Sequence, residues 1–335
     1  MDGRFVLGVD IGGTKIAAGV VDESGKVLNS IRVPMYARGS ADAAMACVHQ
    51  AIQRTLESKE GSRVSAIGVS SPGPLDPITG TVLHTPNLPC WINFPLSSEI
   101  EQAYRLPTRL ENDANAAGLA EARWGAAKGC AYVLYLTLGT GIGTALIVNG
   151  KIYGGRTGAA PEGGHMSIDY RGEVLCGCGK AGCVEGLASG TAIAALARKK
   201  AHADPSRARA LLMLSDGDFF RINAESVFKA AAASDPLALE MLQHVNDVLA
   251  IWLGNLLDLF EPHIVVVGGG VGVALSPYLE TIREKSLRWT LNSRAGEISL
   301  VAAHFGPEAG LVGSSALWLQ EAAHAGGPTG NIVEI

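Results

Sequence analysis

The hydrophobic pattern opens with two short apolar runs, residues 5–9 (FVLGV) and 16–21 (IAAGVV), separated by the polar, glycine-bearing stretch DIGGTK at 10–15. Continuous apolar runs of this length bounded by turn residues predict buried strands, so the chain begins as a β-hairpin. The pattern then returns. VLGVDIGGTKIAAGVVDESGKVL at 6–28 resembles VLYLTLGTGIGTALIVNGKIY at 133–153, aligning Asp10 with Thr137 and Gly12 with Gly139. An internal repeat predicts two homologous halves, each opened by a hairpin whose glycine turn faces a shared cleft.

Between and beyond the echoes, apolar residues at helical spacing predict helices over 41–58, 96–104 and from 113 to about 124. Further helices are predicted over 189–200, 224–233, 236–260 and 309–324, the last opened by Gly310. Strands are predicted at 64–69, 108–111, 264–267 and 298–302. The stretches 70–74 (SSPGP) and 85–91 (TPNLPCW) read as loops because their prolines stop regular structure. Residues 202–221 have a mixed pattern, and the tail after Gly326 is expected to fray.

Composition narrows the class. The chain has 335 residues, 47% hydrophobic and 18% charged, which predicts a globular protein of two domains with ample core. A net charge of −5 without a basic cluster argues against a nucleic-acid partner. A strand pattern at the very start predicts no leader peptide, and the lack of a long apolar run predicts no transmembrane helix. Three scattered cysteines and three clustered ones fit a reducing cytoplasm with a metal site better than a disulfide framework.

The cluster is the most specific chemistry. In EGGHMSIDYRGEVLCGCGKAGCVE at 162–185, His165, Cys176, Cys178 and Cys183 match the ligand set of a closed Cys₃His zinc site. Such a site has no open position, so the metal is expected to staple the loop and hold Glu162, His165 and Glu185 in place. In the first glycine turn, Gly12 and Gly13 would let backbone N–H groups approach an anion, with Thr14 and Lys15 adding a hydroxyl and a cation. Asp10 suits a Mg²⁺ site. The competing reading is a plain hairpin turn with an exposed aspartate. The echo supplies Gly139, Thr140 and Gly141 as the second turn's donors, so that a triphosphate would lie between the two.

At 111–117 (ENDANAA), Asn112 or Asp113 caps a helix. Asp113 is either only a cap, kept ionised by the helix dipole, or a general base aimed at a substrate hydroxyl; spacing alone does not choose. Asn87 either reads a polar ligand or bonds its own turn. Gly268, Gly269 and Gly270 follow a buried strand, which suits either close approach of a nucleotide or a tight strand-to-helix turn.

These motifs together resemble the ROK family of sugar kinases. DIGGTK and LGTGIGTAL match its two phosphate loops, and GHx₁₀CxCGxxGCxE, from Gly164 to Glu185, is similar to its zinc motif. The resemblance covers nearly the whole chain. It implies an α/β protein with the two-domain actin-like (ribonuclease H-like) ATPase fold, duplicated mixed sheets flanked by helices with a cleft between them. The expected division is 1–117, joined by the C-terminal helix at about 310–335, and 118–309 carrying the zinc loop. It implies Asp113 as catalytic base, with Asn112, Glu162, His165 and Glu185 binding sugar and Gly73 and Asn87 as further sugar contacts. It also implies ATP and Mg²⁺ as co-substrate and ion, structural Zn²⁺ on His165, Cys176, Cys178 and Cys183, and a cytoplasmic homodimer. Glucose is the favoured substrate, with N-acetylglucosamine and N-acetylmannosamine as alternatives. The family's transcription repressors carry a helix-turn-helix domain ahead of the phosphate loop, whereas here that loop begins at residue 10.

Overall fold

In a computed structural model that describes residues 5–319, the chain is built on two five-stranded sheets of the same topology. The first sheet comprises β1 (Phe5–Ile11), β2 (Lys15–Val21), β3 (Val27–Pro34), β4 (Val64–Ser71) and β8 (Thr108–Asn112), in the order β3-β2-β1-β4-β8. The second comprises β9 (Tyr132–Leu138), β10 (Ile142–Val148), β11 (Lys151–Ile152), β12 (Ile264–Gly268) and β13 (Ser299–Ala302), in the order β11-β10-β9-β12-β13. In each, an antiparallel meander continues into two parallel strands: β1 pairs antiparallel with β2 and parallel with β4, and β9 pairs antiparallel with β10 and parallel with β12. The duplication expected from the repeat is therefore present strand for strand. A third, three-stranded sheet of β5 (Leu75–Asp76), β6 (Thr81–His84) and β7 (Ile92–Phe94) extends the first half.

The helices are α1 (Ala41–Leu56), α2 (Leu96–Tyr104), α3 (Asp113–Arg123), α4 (Val184–Ala188), α5 (Gly190–Ala203), α6 (Arg209–Met213), α7 (Ala224–Ala232), α8 (Pro236–Phe260), α9 (Gly269–Ala274), α10 (Leu279–Ser286) and α11 (Ala309–Ala316). The mixed stretch at 202–221 resolves into the end of α5, the single short helix α6 and a 3₁₀ turn at Phe219–Arg221. The closing helix ends at Ala316, earlier than its expected limit of 324, and residues 320–335 lie outside the described ones.

One apolar core joins Leu7, Val9, Ile16, Val48, Ile52, Ile67 and Trp91 around the first sheet. A larger one joins Leu134, Leu136, Val265 and Val267 of the second sheet to α5, α7, α8 and α10. The broad apolar face of α8 is spent on this internal core through Met241, Leu242, Val245, Leu249, Trp252 and Leu256.

Two helices lie between the sheets. Helix α11 rests on β1 and β4, and α3 rests on β9 and β10. The approach is backbone to backbone: a Cβ at Gly8 would run into the carbonyl of Leu311, one at Gly68 into that of Ser314, and one at Gly313 into that of Ala116 in α3. Side chains at these positions would push the layers apart. This close stack brings Asp10 at the end of β1 and Asp113 at the start of α3 to the same cleft.

Candidate active site

The first glycine turn is closed by a hydrogen bond from Gly12 N to Lys15 O at 2.9 Å. Gly13 packs under the backbone carbonyl of Asn87, with room for no side chain, since a Cβ would lie 2.9 Å from that oxygen. Thr14 and Lys15 are exposed at the turn. Asp10 is held from below: Ser70 Oγ donates to its Oδ1 at 2.8 Å. Burial pushes its carboxyl above the usual range, opposed by the Ser70 hydrogen bond and by the Lys15 charge.

At the β8–α3 junction Asn112 is the cap, its Oδ1 accepting from Ala114 N at 2.9 Å and Asn115 N at 3.3 Å. Asp113 is the first helical residue, and its Oδ1 also accepts from Ala114 N, at 2.8 Å. Glu111 braces the turn by accepting from Asn112 N at 2.8 Å and Asn115 Nδ2 at 3.0 Å. The helix dipole was expected to keep Asp113 ionised. Burial outweighs it, and together with the charges of Asp10 and Glu162 raises the carboxyl to about 7. A pure cap has no need of such a setting, whereas a base that must take and release a proton near neutrality does.

Beside Asp113 lies a small cavity of about 70 Å³ lined by Gly73, Asn112, Asp113, Thr144, Pro161 and Glu162 among others. Glu162 is pushed up by burial, with the His165 charge opposing and that of Glu185 adding. The loop carrying the four candidate ligands begins directly after it. The ligand atoms of His165, Cys176, Cys178 and Cys183 all lie within 4.8 Å of one another. Cys178 Sγ and Cys183 Sγ are 3.7 Å apart, and Cys176 Sγ is 3.6 Å from His165 Nδ1. The edge of a tetrahedron with zinc–sulfur bonds of the usual length is about 3.8 Å, and a sulfur–nitrogen edge about 3.6 Å. The donor set and its spacing thus fit a tetrahedral Zn²⁺ using Nδ1 of the histidine.

Glu185 and His165 do not line the small cavity. Glu185 instead bridges two elements: its Oε2 accepts from Ile142 N at 2.9 Å, at the start of β10, and its Oε1 lies 3.5 Å from Cys176 Sγ. Asn87 likewise stands back from the cavity, against Gly13.

On the far side of the second glycine turn is a cavity of about 960 Å³. Gly139, Thr140 and Gly270 form its edge, as expected. Gly268 and Gly269 do not. Gly268 is small because the Tyr135 ring fills the space its side chain would need, and Gly269, at φ +82°, because Leu138 does. For these two, chain packing explains the glycines. The cavity's remaining wall includes residues that spacing did not flag, among them Thr191, Asn223, Phe228, Lys229 and Tyr278. An apolar position on a helix such as Phe228 carries no sign in sequence that it faces a cavity instead of a core.

The model of the ROK family matches residues 6–321. The chain is 37% identical over 315 residues to a glucokinase of Streptomyces coelicolor, covering 93% of this chain and 97% of that one. It is 30% identical over 311 residues to an N-acetylmannosamine kinase of Citrobacter koseri, with 93% and 97% covered. Among solved structures, a ROK family glucokinase of Streptomyces griseus in complex with glucose and AMPPNP superposes with a TM-score of 0.81 at 38% identity, over 93% of this chain and 98% of that one. The duplicated sheets are accordingly those of the actin-like ATPase fold, and this chain belongs to the ROK family.

Proposed function

We propose that this protein is an ATP-dependent hexose kinase that phosphorylates the 6-hydroxyl of glucose. The observation that carries the reading is Asp113: a half-buried carboxyl raised to about 7, facing Asp10 and Glu162, beside the small cavity. Similarity to the glucokinases, one of them bound to glucose and AMPPNP, supports the donor and the acceptor.

In this reading the hexose lies against Gly73, Asn87, Asn112, Glu162, His165 and Glu185. Nδ1 of His165 would go to the metal, which leaves Nε2 to bond a hydroxyl. Carboxylates at 162 and 185 accept from ring hydroxyls, so a ligand that covers them without those hydroxyls leaves desolvated acceptors unpaired. The nucleotide lies along Gly12, Gly13, Thr14 and Lys15 on one side and Gly139, Thr140 and Gly141 on the other, with its base in the large cavity beside Gly270. Asp113 takes the proton of the 6-hydroxyl while that oxygen bonds to the γ-phosphorus. The bond from phosphorus to the bridging oxygen breaks, and ADP leaves. Positioning and charge neutralisation dominate such a transfer. Asp10 would hold Mg²⁺, directly or through water, which neutralises phosphate charge when bound. His165, Cys176, Cys178 and Cys183 would hold Zn²⁺ as a closed structural ion.

Residues 1–117 with the C-terminal helix form one domain of the proposal and 118–309 the other; the seat of α11 on β1 and β4 supports that division. A cytoplasmic homodimer belongs to the same reading. Nucleic acid does not, given the charge of −5, and no helix of the described residues is long and apolar enough to cross a membrane.

The test is ATP-dependent ADP release across glucose, N-acetylglucosamine, N-acetylmannosamine and mannose. A kcat/KM highest for glucose is the expected result. A preference for an N-acetylhexosamine would install the second reading, which the similarity to N-acetylmannosamine kinases favours. No release with any sugar would remove the function. Sedimentation at micromolar concentration tests the dimer.

A further inference from the structure

Glu162 sits in an irregular stretch, with φ −109° and ψ 51°, outside helix and strand alike. Nothing in its own backbone fixes where its carboxyl points. The chain on either side of it is tied by a single hydroxyl on the neighbouring strand. Thr144 of β10 is 3% exposed. Its Oγ1 donates to Pro161 O at 3.0 Å and accepts from Gly163 N at 2.9 Å. These are the residues on either side of Glu162, so one atom grips the chain before and after it.

Three further features hold the grip. Gly163 leaves no space for a side chain beside Thr144, because a Cβ there would lie 2.9 Å from its methyl carbon. The carbonyl of Gly163 accepts from the Trp252 indole N–H at 3.0 Å, in the core of α8. Gly164 lies so close to β10 that a Cβ would strike the Ile142 carbonyl. The segment is thus laid flat on β10, with the Thr144 hydroxyl as its one side-chain tie to that strand among the described residues.

We propose that Thr144 is the positioning residue for sugar recognition: its hydroxyl sets the direction of Glu162, and through the following residues that of His165. The role rests on the hexose-kinase reading. Thr144 itself touches neither the proton nor the phosphoryl group.

The test compares Thr144→Val, which keeps the shape and removes both bonds, with Thr144→Ser, which keeps the hydroxyl. Loss of the two bonds leaves a buried N–H and carbonyl unpaired, which predicts an increase in KM for glucose of about ten- to a hundredfold in Thr144→Val. KM for ATP and zinc content should stay at their unaltered values. Thr144→Ser should restore KM for glucose to within about threefold. A folded Thr144→Val with unchanged KM for glucose overturns the role. So does a Thr144→Ser as impaired as Thr144→Val, or a rise in both KM values together, since either means that the residue only supports the fold. If the unaltered protein turns over no hexose, the kinase reading falls and this role falls with it. If it does and only the Thr144 series is flat, the kinase reading stands alone.

Discussion

Gly310 meets Asp10 so closely that a Cβ on the glycine would lie 2.5 Å from the aspartate's carboxyl carbon. The first turn of α11 therefore forms the floor under this carboxylate, and Ser70 Oγ, 3.3 Å from Gly310 O and 2.8 Å from Asp10 Oδ1, links the two. Gly310→Ala should push the carboxylate out of place. The expected outcome is a fall in kcat of about a hundredfold, the scale of a misplaced catalytic group, with KM for glucose little changed. A crystal structure of the variant should show Asp10 displaced, and normal turnover would remove Asp10 from the mechanism.

The state of Asp113 gives a pH signature. As a base it works deprotonated, so kcat/KM for glucose should rise tenfold per unit at acid pH and level off above about 7. Stability of the ligand-free protein runs the other way. The folded carboxyl is raised above the unfolded value of 3.8, so between those values the folded state binds the extra proton, and stability falls as pH rises through the window. Asp113→Asn should thus abolish turnover yet melt higher than the unaltered protein at pH 8, with the difference vanishing toward pH 4. Equal melting at pH 8 would contradict the burial of a charge at this position.

Metal analysis of purified protein should return one zinc per chain, by the fit of the four ligands. Removal by a strong chelator, or Cys183→Ser, should raise KM for glucose far more than KM for ATP, because the loop that the metal would close carries His165 and contacts Glu185. Zinc-free protein with unaltered sugar affinity would make the loop self-supporting.

Two glycines separate packing from chemistry. Gly68→Ala places a methyl against the Ser314 carbonyl, where neither backbone can yield. It should destabilise by about 3 kcal/mol in urea unfolding, as overpacking does. Gly139→Ala meets nothing within 4 Å and should leave stability within about 0.5 kcal/mol. A rise in KM for ATP in that variant would therefore report crowding of the phosphate and nothing else.

Both hairpins and the four-ligand loop were legible from sequence because each is local: strand, turn and ligand spacing all sit within one short stretch. The raised carboxyl of Asp113 was not, because it depends first on burial and then on the charges of Asp10 and Glu162, which only the tertiary fold supplies. The packing around Gly268 and Gly269 was hidden for a related reason. A glycine after a strand looks the same whether it makes room for a ligand or, as here, for Tyr135 and Leu138 of the neighbouring strand. The wall of the large cavity was invisible because Phe228 belongs to a helix whose apolar stripe also feeds the core.

Strand β10 carries the glycine turn at its entrance, the Ile142 N–H that anchors Glu185, and the Thr144 hydroxyl two residues further on. The small cavity and the edge of the large one are hung from a single rod, which acts as a ruler between them. Pairing in a ladder admits no half-steps, and a slip of one residue would turn every side chain to the opposite face. Evolution of this scaffold toward a longer or shorter acceptor is therefore free to rebuild the loops but not to stretch the ruler.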